Sequence, residues 1–122
     1  MVRIETISDE LITYGVEQRM QDLYIHFLSE SVAVYYRKDH QMIPFNNELS
    51  VETAQKLIAR FKYLGEMDVG EKRKAQLGAI TYPLNQGEQR LRLSTVGDYR
   101  GKESLVVRFL HQIEEQQLGY FY

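Results

Sequence analysis

The chain has 122 residues, 43% hydrophobic and 26% charged, which fits one globular domain and excludes a disordered chain. It holds no cysteine, which excludes disulfides, thiolate metal sites and a cysteine nucleophile, and fits a reducing compartment. The net charge of −2 hides a gradient: residues 71–108 carry eight basic and four acidic side chains, residues 1–30 two and six.

The opening "MVRIETISDE" carries acids where an export signal would be apolar, and no apolar run reaches transmembrane length, so the expected setting is cytoplasmic. From Ser8 to Met20, Leu11, Ile12, Val16 and Met20 recur at helical intervals, with Ser8 as the expected cap. "DLYIHFL" alternates Leu23, Ile25 and Phe27 with Asp22, Tyr24 and His26, the spacing of a strand. After the turn "SES", "VAVYYR" places Val32, Val34 and Tyr36 on one face. "KDH" turns again into the short "QMIPF", whose Pro44 predicts an edge position. The simplest account is a three-stranded meander.

The stretch "NNELSVETAQKLIARFKYLG" predicts a helix capped by Ser50, with Glu52 in its first turn. Val51, Ala54, Leu57, Ile58, Phe61 and Leu64 form its apolar stripe, and Gly65 ends it. Three more strands follow in "QLGAITYPL", "EQRLRLST" and "SLVVRFL", the first two joined by the tight turn "NQGE". This order predicts an α+β, PAS-like fold: a largely antiparallel sheet of about six strands with helices packed on one side. The tail "HQIEEQQLGYFY" has no evident partner.

Chemical motifs are sparse. "GDYRGKES" puts three residues between Gly97 and Gly101 where a phosphate-binding loop needs four, Glu103 follows Lys102, and no helix begins there. His26, His40 and His111 form no short metal-ligand pair, so no metal site is expected. Most of the nine tyrosines read as core and rim. The arginines stand out. In "QRLRLST", Leu91, Leu93 and Thr95 share one face while Arg90, Arg92 and Ser94 share the other; in "SLVVRFL", Leu105, Val107 and Phe109 alternate with Val106 and Arg108. If the two strands pair, Arg92 and Arg108 can share a face, in a register the sequence leaves open. Guanidinium forks suit phosphate oxygens, and a positive segment in an acidic chain points to a confined anionic partner. Solvent-facing sheet charge is the plain alternative.

Laid out this way, residues 22–110 resemble the amino-terminal domain of type II/IV secretion-system traffic ATPases. The family's strand pair "SDIHIEP…VRFRIDG" is echoed at Asp22, Ile25, Arg37 and Asp39. Its "LDIAERRLPQDGR" is matched at Asp68, Glu71, Arg73, Gln76 and Gly78, and its "LRVST…GEKVVLRLL" at Arg92, Ser94, Thr95, Gly101, Glu103 and Arg108. "GEKR…QLG" and "RLSTVGDYRG…ESLV" resemble most the competence DNA-uptake (ComGA-like) branch. The pattern breaks at Tyr24 and His26, where the family has His and Glu, and at Ala75 and Leu77, where it has Pro and Asp.

The expected organisation is an N-terminal helix over 1–20, read from its periodicity; the resemblance implies the family domain over 21–110 and, from 111–122, the start of a linker to a P-loop ATPase domain. It implies that Arg92 and Arg108, with Arg73 and Arg100 as weaker candidates, contact nucleotide phosphates in the full-length protein. No catalytic residue is expected within the chain itself, which is expected neither to hydrolyse ATP nor to bind it tightly; ATP and magnesium belong to the following domain. Implied partners are that domain, a homo-hexamer and an inner-membrane platform protein at the cytoplasmic face of the membrane, with no direct nucleic-acid contact. Alanine at Arg92 or Arg108 is expected to move stability by under about 0.5 kcal/mol, as exposed substitutions do. Three other readings compete, one being the same domain of a type IV pilus or type II secretion ATPase. A stand-alone sensory or adaptor module predicts a small-molecule pocket between sheet and helix. A single-strand nucleic-acid platform predicts salt-sensitive binding.

Overall fold

A computed structural model describes residues 3–45, 49–98 and 100–111. The tail motif from residue 112 onward lies outside them. Two helices and six strands follow the order α1 (Ile4–Glu17), β1 (Asp22–Phe27), β2 (Val32–Lys38), β3 (Gln41–Pro44), α2 (Val51–Leu64), β4 (Gln76–Leu84), β5 (Gly87–Gly97) and β6 (Glu103–Leu110). The strands form one antiparallel sheet, β3-β2-β1-β6-β5-β4. The fold is α+β as expected, the meander is present, and Pro44 sits on an edge strand.

One face of the sheet is buried under the helices. Leu11 and Ile12 of α1, Leu57 and Phe61 of α2, and Leu23, Ile25, Tyr36, Leu91, Leu93 and Val107 of the sheet are all 0% exposed. Each such side chain contributes about 1.5–3 kcal/mol through removal from water. Polar ties fix α1 in place. The Tyr36 hydroxyl donates to the Leu11 carbonyl at 2.6 Å, and the Tyr82 hydroxyl meets Ser8 Oγ at 2.7 Å and Asp9 Oδ1 at 2.5 Å.

Those ties correct the expected start of α1. The helix begins at Ile4 with Arg3 as its cap residue, and Met20 lies beyond its end. Ser8 is buried inside the helix, its hydroxyl engaged by Tyr82 rather than by a helix amide. α2 follows the sequence closely: Ser50 Oγ accepts from the Thr53 amide at 3.0 Å, and Gly65 is the C-cap. Gly65 has φ −88°, and the left-handed residue is Glu66, φ 58°. Space at 65 favours glycine, since a Cβ would press on Leu93 Cδ1 at 2.7 Å and on the Phe61 carbonyl oxygen at 3.2 Å. At the β4–β5 hairpin Gly87 does supply a positive φ, 117°.

Candidate functional site

The β5–β6 register sets Arg92 directly opposite Arg108. Both are exposed on the sheet face turned away from the helices, because Leu91, Leu93, Val107 and Phe109 beside them fill the core. The row continues across the sheet: Arg108 opposes Asp22 on β1, and Asp22 opposes Arg37 on β2. Four strands thus present the sequence Arg37, Asp22, Arg108, Arg92 side by side.

Asp22 is 0% exposed although it lies on the outer face. Two guanidinium groups cover it. Arg37 donates Nε to Oδ2 at 2.8 Å and brings a terminal nitrogen to 2.6 Å, while Arg108 donates Nε to Oδ1 at 3.0 Å. The Tyr24 hydroxyl adds a long contact of 3.5 Å. Arg37 also donates to Gln21 Oε1 at 2.6 Å and to the Asp39 carbonyl at 3.2 Å. Hydrogen bonding to Asp22 holds both Arg37 and Arg108 above the ordinary arginine pKa, so both stay cationic. The row therefore carries three cations and one anion, and Arg92 faces Arg108 across neighbouring strands.

The weaker candidates lie elsewhere. Gly97 packs so closely on the α2–β4 loop that a Cβ there would meet the Lys72 carbonyl. Arg73 is therefore placed at the Gly97 end of β5, five residues from Arg92, about 16 Å along the strand. Arg100 sits in the β5–β6 turn, where its guanidinium bonds Asp98 at 2.9 and 3.1 Å. The structure brings Arg92 and Arg108 together but leaves Arg73 and Arg100 outside their row.

Several motif residues prove to be scaffold. Asp68 Oδ1 accepts the Gly70 and Glu71 amides, and Glu71 Oε1 accepts those of Arg73 and Lys74. Gln76 bonds the Asp68 amide and carbonyl and the Glu71 carbonyl. Backbone donors accordingly lower the Glu71 pKa, and the amide of Lys102 with Arg100 lowers that of Asp98. Glu103 meets Lys62 in the core at 2.8 and 3.0 Å.

The histidines gather nothing: His26 contacts Ser104, His111 contacts the Met20 carbonyl, and His40 is exposed. Among the described residues no group of three or more His, Asp or Glu side chains can hold a metal ion. Tyr24 and Tyr35 stack on each other at 4.8 Å between ring centroids, which covers one face of each. A separate groove of about 770 Å³ opens where β2, β3 and the start of α2 meet, lined by Val32, Val34, Phe45, Leu49 and Val51 among others. No helix among the described residues is long and apolar enough to cross a membrane.

Residues 2–121 match the family described as "Type II/IV secretion system protein". The chain is 36% identical over 119 residues to competence protein ComGA of Streptococcus pneumoniae, covering 98% of this chain and 37% of that protein. It is 34% identical over 112 residues to competence protein ComGA of Bacillus subtilis, covering 92% and 31%. A type IV pilus assembly ATPase, TfpB of Acinetobacter baylyi, is 32% identical over 106 residues, covering 86% and 18%. The chain thus spans about a third of the length of the two competence proteins.

Proposed function

The chain belongs to the type II/IV secretion system protein family, and on that premise we propose that it is the regulatory amino-terminal domain of a hexameric traffic ATPase. That motor assembles a DNA-uptake pseudopilus against a membrane platform protein. Its role is to present Arg92 and Arg108 to the phosphates of a nucleotide bound by a following P-loop domain, which supplies ATP and magnesium chemistry. The domain boundary near residue 111 and the cytoplasmic setting belong to the same reading.

One observation carries it: Arg92 and Arg108 stand opposite each other on an exposed sheet face. Like charges directly opposed across strands are destabilising, and such a breach of local design is expected at a functional site. A polyanion between the two forks relieves the repulsion. Donors aimed at charge growing on a γ-phosphate contribute about 10²–10³ in rate each. Exposed Leu77 and Val96 on the same face add apolar surface suited to a neighbouring domain.

The test is ATP turnover by the complete protein carrying Arg92→Ala or Arg108→Ala. A fall of about 100-fold in either variant is expected; undiminished activity in both reduces the pair to surface charge. The two differ in stability. Arg92→Ala stays within about 0.5 kcal/mol of the parent, but Arg108→Ala strips buried Asp22 of one partner and costs more, which corrects the equal cost expected from alternation alone.

The groove at β2, β3 and α2 is what favours the sensory-module reading. Its lining mixes apolar side chains with Glu30, Ser31 and Ser50, whereas the arginine row is built from charged groups in fixed register.

A further inference from the structure

Arg37 holds one oxygen of Asp22 firmly. It supplies Nε and a terminal nitrogen to one carboxylate oxygen, and its remaining nitrogen is fixed by Gln21 and the Asp39 carbonyl. A buried carboxylate needs a cation to offset its desolvation, and Arg37 is that cation. Arg108 is a second one, held through the other carboxylate oxygen. Its contact uses Nε, and its side chain keeps 56% of its exposure while that of Arg37 keeps 30%. Among the described residues, Asp22 is its hydrogen-bonding partner.

We propose that Asp22 is a positioning residue for Arg108. Anchored by Arg37, the buried carboxylate grips Arg108 by Nε, holds it against repulsion from Arg92, and leaves its two terminal nitrogens for a phosphate. This rests on the reading of Arg92 and Arg108 as phosphate contacts. The physical gain is pre-organisation. A free arginine loses rotamer entropy when it docks on an anion, whereas one already tethered at Nε has lost part of it on folding. Small misplacements of a group that acts in the transition state are costly in rate. Gln21, Arg37, Asp22 and Arg108 then act as one support, with Arg92 beside it across the strand pair.

The test is a double-mutant cycle on ATP turnover by the complete protein, with Arg108→Ala, Asp22→Asn and the two combined. Asp22→Asn keeps the shape and removes the charge. It is expected to lower kcat about tenfold with KM for ATP changed less than twofold, and to add nothing in the Arg108→Ala background. Unchanged kcat, or a loss that multiplies onto that of Arg108→Ala, overturns the proposal while leaving the phosphate reading intact. Full activity in both Arg92→Ala and Arg108→Ala instead sinks that reading and this proposal with it. A melting curve reports whether Asp22→Asn folds. If it does not, the unmodified protein gives the answer through Nε–H exchange without nucleotide. Slower exchange at Arg108 than at Arg92 supports the tether, and equal rates overturn it.

Discussion

Lys62 and Glu103 form an ion pair inside the protein. Lys62 is 0% exposed and Glu103 7%, with Nζ 3.0 and 2.8 Å from the two carboxylate oxygens. The same ammonium donates to the carbonyls of Glu71 at 2.6 Å and Val69 at 3.3 Å. One side chain in the last turn of α2 thereby ties the α2–β4 loop to the start of β6. The helix C-terminus favours a cation there as well.

Breaking this pair is expected to cost more than removing it. Lys62→Met leaves Glu103 charged and buried, a loss of about 3–5 kcal/mol. Lys62→Met combined with Glu103→Leu recovers most of that, because no uncompensated charge remains. Chemical denaturation of the three proteins checks the order.

The Tyr82 hydroxyl, buried and bonded to Asp9, has its pKa pushed up from 10.0 to about 12. The folded state therefore holds this proton more tightly than the unfolded state does. The resulting stabilisation is complete below pH 10.0 and is lost as pH rises toward about 12, a change on the order of 2–3 kcal/mol. Burial raises Tyr36 in the same direction. Tyr82→Phe is expected to flatten part of the alkaline slope in melts across that range. It also lowers neutral-pH stability by about 1 kcal/mol through lost hydrogen bonds. An unchanged slope would falsify the assignment to Tyr82.

At Gly97 a Cβ would lie 1.8 Å from the Lys72 carbonyl oxygen and 2.7 Å from its carbon. Backbone cannot rotate aside as a side chain can. Gly97→Ala is expected to cost about 1–3 kcal/mol, as overpacking does, and to speed amide exchange at Arg73 and Lys74. Gly70→Ala is the control: its nearest neighbour is 3.6 Å away, and it is expected to change stability by under about 0.5 kcal/mol.

Much of this was legible in the sequence because it is local. Alternation placed Leu91 and Leu93 inward and Arg92 outward, and Ser50 announced the start of α2. The pairing of Arg92 with Arg108 was not, because register depends on the intervening loop, where Asp98 accepts the amides of Arg100 and Lys102. Lys62 follows buried Phe61 and reads as ordinary helix surface, since nothing nearby in sequence shows Glu103 coming to meet it. Asp22 likewise reads as an outward polar residue, yet two distant arginines bury it. The available signal was that Asp22, Arg37 and Arg108 all fall on family-matching positions, which marked them singly without revealing their contact. Ser8 misled for the converse reason: a serine before an apolar run looks like a cap unless a tyrosine 74 residues away claims its hydroxyl.

The adjacency of β1 and β6 at the centre of the sheet has a consequence for biosynthesis. The first meander can pair as soon as it leaves the ribosome, but β1 waits for a strand whose Arg108 is 86 residues downstream of Asp22. Closing so long a loop is the slow kind of event in folding. Until it happens, Asp22 has only Arg37 beside it and the row of arginines does not exist. The arginine row is thus among the last parts of this sheet to assemble, and a copy whose synthesis stops before β6 lacks it.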